Sequence, residues 1–145
     1  MRRLAPLLAA LALAGCAVEP GAAPEPPQAS TAPVASLAGH WRIAGIDGAP
    51  FNEAYGLALS GDAKELWWEP RCAGLVRRYA IDGSRIDFQS AIAPGGKEVP
   101  VCLIAPPPGL DEVLRALDSA TTIARTPSNG IEISGGGRSV GLYSQ

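Results

Sequence analysis

Short strand-like runs separated by turn residues recur along most of the chain, and this feature constrains the fold more than any other. Ile86 and Phe88 alternate with polar neighbours, which is the period of two typical of a strand with one buried face. Turn sequences such as Gly83-Ser84 predict hairpins between neighbouring runs. Many short strands at this spacing predict a small antiparallel barrel or sandwich. The predicted strands are residues 40–46, 57–59, 65–68, 75–82, 85–90, 121–125, 131–134 and 138–143.

One segment has a helical period instead. Apolar side chains recur at i, i+3, i+4 and i+7 and therefore share one face of a helix. Two acidic residues occupy its first turn, where the helix dipole favours negative charge. We predict a single helix over about 109–118 that plugs or covers an end of the strands, so that the fold is mainly β (α+β). The four apolar positions are Leu110, Val113, Leu114 and Leu117.

The first fifteen residues are typical of a secretory signal peptide. A basic head, Met1 to Arg3, precedes an apolar run from Leu4 to Leu13. That run is about ten residues long, whereas a membrane-spanning helix needs about twenty. The sequence Leu-Ala-Gly that ends in Cys16 resembles the lipobox of bacterial lipoproteins, in which the Cys is acylated, for instance with palmitate. The alternative is an ordinary signal peptide with a Cys at its end by chance.

The resemblance to lipoproteins implies a location in the cell envelope. By analogy with lipoprotein sorting, Ala17 after the acylated residue implies an anchor in the outer membrane, facing the periplasm. Residues 16–36 are predicted to be the acylated Cys followed by a disordered tether rich in Pro and Ala, because such a stretch cannot offset its chain entropy by burial. Residues 37–145 are long enough for one compact domain.

Charge argues against two classes of partner. The chain has 12 basic and 14 acidic side chains, and loss of Arg2 and Arg3 with the signal peptide leaves 10 against 14, near −4. Nucleic-acid binding requires a clustered basic face, which this balance does not favour. The same balance does not favour binding of a polybasic segment to anionic lipid headgroups. We therefore expect membrane contact through the lipid alone, and no nucleic acid.

The chain contains three cysteines, at positions 16, 72 and 102. If Cys16 carries lipid, Cys72 and Cys102 remain in an oxidising compartment and can pair. That bridge would close a loop of about thirty residues and contribute about 3–4 kcal/mol. Two free thiols or a metal site are the alternatives. A metal is disfavoured because His40 is the only histidine and no C-x-x-C spacing occurs, so we expect neither metal nor cofactor.

No motif predicts an enzyme. The single His40 offers one partner for a serine nucleophile, but the G-x-S-x-G elbow is missing. The sequence Gly95-Gly96-Lys97 partly matches the phosphate-binding P-loop motif, but Glu98 follows where that motif needs a Ser or Thr to bind magnesium. We therefore interpret Gly95-Gly96-Lys97 as a turn. We predict that the protein is not an enzyme.

The densest aromatic and charged patch surrounds Trp67 and Trp68. Adjacent residues on a strand point to opposite faces, so one Trp belongs to the core and the other to the outer surface or a rim. An exposed Trp beside Arg71 can bind a sugar, a peptide or lipid by stacking. The alternative is a Trp packed under the helix or the tether.

Arg77 and Tyr79 share a strand face with Leu75 and Ile81, and that face is predicted to be core. An inward Arg must be paired or reach water. It would therefore mark a polar barrel mouth, with an acidic partner such as Glu69 or a ligand carboxylate. The alternative is a bulge that turns Arg77 outward, or a strand end from which it reaches solvent.

A series of short motifs follows in order along the chain, namely Leu37 to Ile43, Ile46-Asp47-Gly48, Cys72, Tyr79, Gly83, Ile86-Asp87-Phe88, Val101-Cys102 and Val113 to Leu117. Their order and spacing resemble the META domain, found in a heat-shock lipoprotein of enteric bacteria and in many relatives. This resemblance implies a lipocalin-like β-barrel with no established enzymatic activity. The sequence departs from the family at Pro70-Arg71-Cys72-Ala73, where relatives have Gly-Cys-Asn, and at Arg77, where they have Gly. The Met before the second Cys is also missing.

These observations predict a non-catalytic envelope lipoprotein that acts as a structural, stress-related or interaction module. One alternative is a small-ligand carrier, because lipocalin-like barrels can hold one ligand, and it requires an apolar cavity. Another is a periplasmic protease inhibitor, which requires a protruding segment such as the tether before Leu37. The expected partner is an envelope protein or a small ligand, contacted through Trp67, Trp68, Arg71, Arg77 or Tyr79.

Overall fold

The computed structural model describes residues 32–53, 56–69, 71–72, 75–90 and 103–145. The predicted signal peptide, Cys16 and most of the predicted tether lie outside these residues, as do Cys102 and the predicted turn at Gly95-Gly96-Lys97.

The described residues form nine strands and one helix. Every strand predicted from the sequence is present, with ends shifted by at most two residues, and a two-residue strand is added after the first turn. The strands are β1 (Gly39–Ile46), β2 (Ala49–Pro50), β3 (Ala58–Gly61), β4 (Glu65–Trp68), β5 (Val76–Asp82), β6 (Arg85–Ser90), β7 (Thr122–Arg125), β8 (Ile131–Gly135) and β9 (Arg138–Ser144).

The sheet closes on itself. Each strand pairs antiparallel with its neighbours, and β1 also pairs with β9, with Trp41 opposite Ser144. The short β2 extends alongside the end of β1, so eight strands form the closed wall. The register of β1 on β9 shifts between Ile43 and Gly45, which is a bulge of the kind that helps a barrel bend. The protein is therefore a small lipocalin-like β-barrel with one helix, as predicted, and not a sandwich.

Apolar side chains fill the interior of the barrel. They come from strands around the whole wall and from the helix, and close packing of this kind excludes water and rigidifies a core. The largest fully buried side chains among them are Leu37, Ile43, Leu59, Leu66, Leu110, Val113, Leu117, Ile131, Ile133, Val140 and Leu142.

Helix α1 (Leu110–Asp118) closes one end of the barrel. It begins after Gly109, whose φ of 83° lies in the left-handed region where glycine is favoured. Its apolar face is buried, while Asp111 and Glu112 lie in its first turn. The helix packs near the turn between β8 and β9, where the hydroxyl of Ser119 donates to the carbonyl of Gly135. The predicted helix is confirmed.

The segment 33–38, called the strap below, lies at the opposite end of the barrel. Val34 is 3% exposed and Leu37 is 0% exposed, so both side chains belong to the core. The composition of residues 16–36 predicts a disordered tether that includes Val34 and Ser36, whereas the structure buries Val34 and places the hydroxyl of Ser36 3.1 Å from that of Tyr79. The reason is that one valine in a polar stretch becomes a core residue when a distant part of the fold supplies its surroundings.

Candidate functional site

The outer face of β1, β3 and β4 carries a row of three residues in register. His40 lies opposite Ser60, and Ser60 lies opposite Trp67. The imidazole Nδ1 of His40 and the hydroxyl of Ser60 are 3.1 Å apart. Ser60 is buried, whereas His40 is exposed, so the hydroxyl is covered by its neighbours and is not presented as a nucleophile.

Trp67 lies on the outside of the barrel. The guanidinium carbon of Arg71 is 4.7 Å from the centroid of its ring, which is a cation–π contact. Its indole N–H donates a hydrogen bond to the carboxylate of Glu69, with 2.5 Å between Nε1 and Oε1. One ring face and the N–H are thus already engaged within the protein.

Glu65 links this contact to the neighbouring strand. Its carboxylate forms an ion pair with Arg71 and accepts a hydrogen bond from Nε of Arg78 at 3.2 Å. We call Glu65, Trp67, Glu69, Arg71 and Arg78 the outer cluster. An open hollow of about 880 Å³ adjoins it, and its lining includes Lys64, Glu65 and Arg78. The outer cluster therefore presents both signs of charge around one aromatic ring.

Trp68 has the opposite orientation to Trp67. It lies in register with Leu59 and packs, partly buried, against the core. The sequence predicted that two adjacent Trp residues point to opposite faces, and the strand separates them in this way. Trp68 is consequently part of the interior, and Trp67 is the aromatic residue available to a partner.

Arg77 is 6% exposed and points inward, as its position on β5 predicts. Its Nε and Nη2 donate to the two carboxylate oxygens of Asp118 at 2.5 and 2.9 Å, and Nη1 donates to the carbonyl of Val76 at 3.2 Å. The prediction that Glu69 would be its acidic partner is wrong, because Glu69 binds Trp67 on the outer face. Arg77 ties the barrel wall to the end of the helix.

The hydroxyl of Tyr79 has three partners. It accepts from the backbone N–H of Leu37 at 2.8 Å, donates to the carbonyl of Asp62 at 2.6 Å and lies 3.1 Å from the hydroxyl of Ser36. The ring is 9% exposed and packs against Phe88. Tyr79 therefore holds the strap in place, and it is not part of the outer cluster.

An ionic cluster that no sequence pattern predicted lies at the helix end of the barrel. Nη2 of Arg138 donates to Asp47 at 2.8 Å and to Glu112 at 2.6 Å, and Glu112 also pairs with Arg115. The three segments involved are the turn after β1, the start of β9 and the first turn of α1. No local signal could have joined them, because they are far apart in sequence.

Hydrogen bonding within this cluster shifts three pKa values. The backbone N–H of Ser139, helped by Arg138, lowers the pKa of Asp47 below its ordinary value of 3.8. Hydrogen bonds from Arg138 and then Arg115 lower the pKa of Glu112 below 4.5. The same contacts, with Glu112 first and Asp47 second, raise the pKa of Arg138. All three side chains favour their charged forms.

Among the residues that the structure describes, no group of three or more His, Cys, Asp or Glu side chains is arranged to hold a metal ion. Within the same residues, no helix has the length and apolar character needed to cross a membrane. Cys72 is buried, but Cys16 and Cys102 lie outside the described residues, so lipidation and the Cys72–Cys102 pairing stay predictions.

Comparison of the chain with protein-family models, with curated proteins and with solved structures gave no match. The class of protein is therefore defined by the fold alone, as a small closed antiparallel barrel with one helix.

Proposed function

We propose that the protein is a non-catalytic lipoprotein of the cell envelope whose barrel is an interaction module. Lipid on Cys16 anchors it, in the outer membrane facing the periplasm, and the residues that follow separate the anchor from the barrel. The basic and apolar leader and the resemblance to a lipobox support the anchor. The resemblance to the META domain supports a barrel without enzymatic activity.

The observation that carries this proposal is the filled interior of the barrel. Eleven large and fully buried apolar side chains, contributed by the strap, the wall and the helix, occupy the space that a lipocalin-like carrier would keep for its ligand. A bound small molecule in the centre would have to displace them. The filled interior weighs against the carrier alternative and favours contact through the outside of the barrel.

The outer cluster is the surface we propose for that contact. Trp and Arg are the side chains that most often dominate the binding energy of protein interfaces. Trp67 and Arg71 are stacked on one another, so the pair is already ordered before a partner arrives, which lowers the entropy cost of binding. The mixed charges of Glu65, Glu69 and Arg78 around the pair suit a polar surface of another envelope protein.

The anchor is tested by replacing Cys16 with Ser in the full chain. The wild type should incorporate labelled palmitate and sediment with membranes, whereas Cys16→Ser should do neither. Ser128→Ala is the control, because Ser128 is exposed and lies far from the leader in the sequence, so the change leaves all three cysteines in place. Equal labelling of wild type and Cys16→Ser would contradict lipidation at this residue.

The contact surface is tested by crosslinking in the cell envelope. Crosslinked partners of wild type should be lost or strongly reduced for the double variant Trp67→Ala, Arg71→Ala. Tyr143→Ala is the control, because Tyr143 is an exposed aromatic residue on β9, away from the outer cluster. The proposal for this surface fails if the double variant and the control capture the same partners in the same amount.

A further inference from the structure

Side chains of the barrel hold both backbone groups of Leu37. Its N–H donates to the hydroxyl of Tyr79 at 2.8 Å, and its carbonyl accepts from the indole N–H of Trp41 at 2.7 Å. Its own side chain is fully buried. Capture of the backbone together with an apolar anchor is how proteins recognise an extended peptide.

The strap has a second anchor, Val34, three residues before Leu37. Between the two anchors, Ser36 approaches the hydroxyl of Tyr79 and also accepts from the N–H of Ala38. The barrel wall makes room for the strap at Gly61, where an added Cβ would lie 2.2 Å from the carbonyl oxygen of Leu37. The wall is thus shaped for a polypeptide backbone at this point.

The strap does not pair with any strand of the barrel through a regular ladder of backbone hydrogen bonds. It precedes β1 and is in none of the strands, and the contacts above come mainly from side chains. Gly39, which follows it, has a φ of 131°, a backbone conformation that side chains other than glycine rarely adopt. The strap therefore depends on side-chain contacts rather than on strand pairing, so its departure would break no hydrogen bond between two strands of the wall.

An open, mainly apolar groove of about 560 Å³ continues from the strap. Its lining includes Pro33 and Val34 on one side, Gly83 and Ser84 in the turn after β5, and residues 123–127 at the end of β7. The groove therefore extends the place where the strap lies along the end of the barrel.

We propose that this end of the barrel is a binding site for an extended apolar peptide segment, which the strap occupies in cis. The site takes two apolar side chains spaced as Val34 and Leu37 are, and it holds the backbone N–H and carbonyl of the second position through Tyr79 and Trp41. A segment of another protein with this spacing binds when the strap leaves. This site is distinct from the outer cluster, and the inference does not depend on lipidation.

The first test vacates the site in the full chain with Val34→Asp and Leu37→Asp. The probe is a labelled peptide with the sequence of residues 32–38. It should bind the double variant about tenfold or more tightly than it binds wild type, because the resident strap competes for the site. The same peptide with Asp in place of its Leu should not bind. A folded double variant that binds the two peptides equally, or neither, overturns the proposal.

The second test uses wild type and covers the case in which the double variant does not fold. Hydrogen exchange should be about tenfold or more faster at the amide of Leu37 than at that of Ile43, which donates to Leu57 inside the wall. The exchange at Leu37 should also depend little on denaturant, as expected of a local opening. Exchange of both amides at the same rate, only by global unfolding, would show that the strap does not leave the barrel.

Discussion

Arg77 in the wall of the barrel and Asp118 at the end of the helix form a bidentate ion pair. Both carboxylate oxygens accept from the guanidinium, at 2.5 and 2.9 Å. The side chain of Asp118 is 44% exposed, whereas that of Arg77 is 8% exposed. The pair is therefore asymmetric, because the arginine depends on the aspartate far more than the aspartate, which reaches water, depends on the arginine.

This asymmetry predicts unequal effects of breaking the pair. Asp118→Ala should lower the free energy of unfolding by about 3 kcal/mol, because it takes two hydrogen bonds from a buried charge. Arg77→Met should cost about 1 kcal/mol, because it removes the buried charge and leaves a hydrated carboxylate. Urea unfolding of the two variants measures both. Asp111→Ala, on the same helix, is the control, and an Asp118→Ala loss no larger than the control would contradict the prediction.

Tyr79→Phe should weaken the attachment of the strap. The change removes one hydroxyl, and with it the acceptor for the N–H of Leu37 and the donor to the carbonyl of Asp62. We expect a loss of about 2 kcal/mol in the free energy of unfolding, because buried polar groups lose their partners. Tyr143→Phe is the matched control, since the hydroxyl of Tyr143 bonds Ser128 in an exposed position. Equal thermal stability of the two variants would mean that Tyr79 does not hold the strap.

The ionic cluster predicts an acid-sensitive part of the stability. The pKa values of Asp47 and Glu112 are lowered in the folded protein. As the pH falls, the unfolded chain therefore binds protons at these two residues before the folded protein does. Their contribution is complete above about pH 5 and is lost as the pH falls from about 4.5 through the folded-state pKa values. Replacing Arg138 with Met should lower the melting temperature most above about pH 5 and progressively less towards pH 2–3.

Arg85→Met is the control for this experiment, because Arg85 is an exposed arginine on β6, outside the ionic cluster. The melting temperatures of wild type and both variants are measured from pH 7 down to about pH 2.5. A constant difference between wild type and Arg138→Met across that range would show that the cluster makes no pH-dependent contribution.

The proposed bridge between Cys72 and Cys102 predicts that single and double replacements have the same effect. Cys72→Ala, Cys102→Ala and the double variant should each lose about 3–4 kcal/mol, because each removes the same crosslink. Denatured mature protein should show reactive thiols only after reduction. Losses that add in the double variant, or reactive thiols before reduction, would indicate two independent cysteines.

The strands and the helix were predictable because they depend on local patterns. Ile86 and Phe88 alternate with polar residues, and the apolar positions of α1 repeat with a helical period, so the chain carries these signals within single segments. The strap carried no such signal. Val34 is one valine in a polar stretch, and it is buried beside a groove whose lining includes Gly83, Ser84 and residues 123–127, which come together only after the barrel has formed.

Local patterns also predicted the orientation of the two Trp residues but not the partners in the ion pairs. The opposite orientations of Trp67 and Trp68 follow from strand geometry and were predicted. The partner of Arg77 was not, because the sequence offers many carboxylates and only the packing of the helix selects Asp118. The contact between Arg138 and Asp47 joins the start of β9 to the turn after β1, which are far apart in the sequence, and nothing in either segment points to the other.

The pairing of β1 with β9 has a consequence for how the protein folds. Arg42 lies opposite Tyr143 in the β1–β9 pair that closes the barrel. One edge of β1 therefore stays unpaired until β9, the last strand, has formed. Contacts between residues so distant in sequence carry a large loop-closure cost and slow the folding of β proteins. A chain that emerges from its N-terminus onward therefore passes through a stage in which one edge of β1 has unpaired backbone N–H and C=O groups. We expect a chaperone that binds at this stage to bind β1.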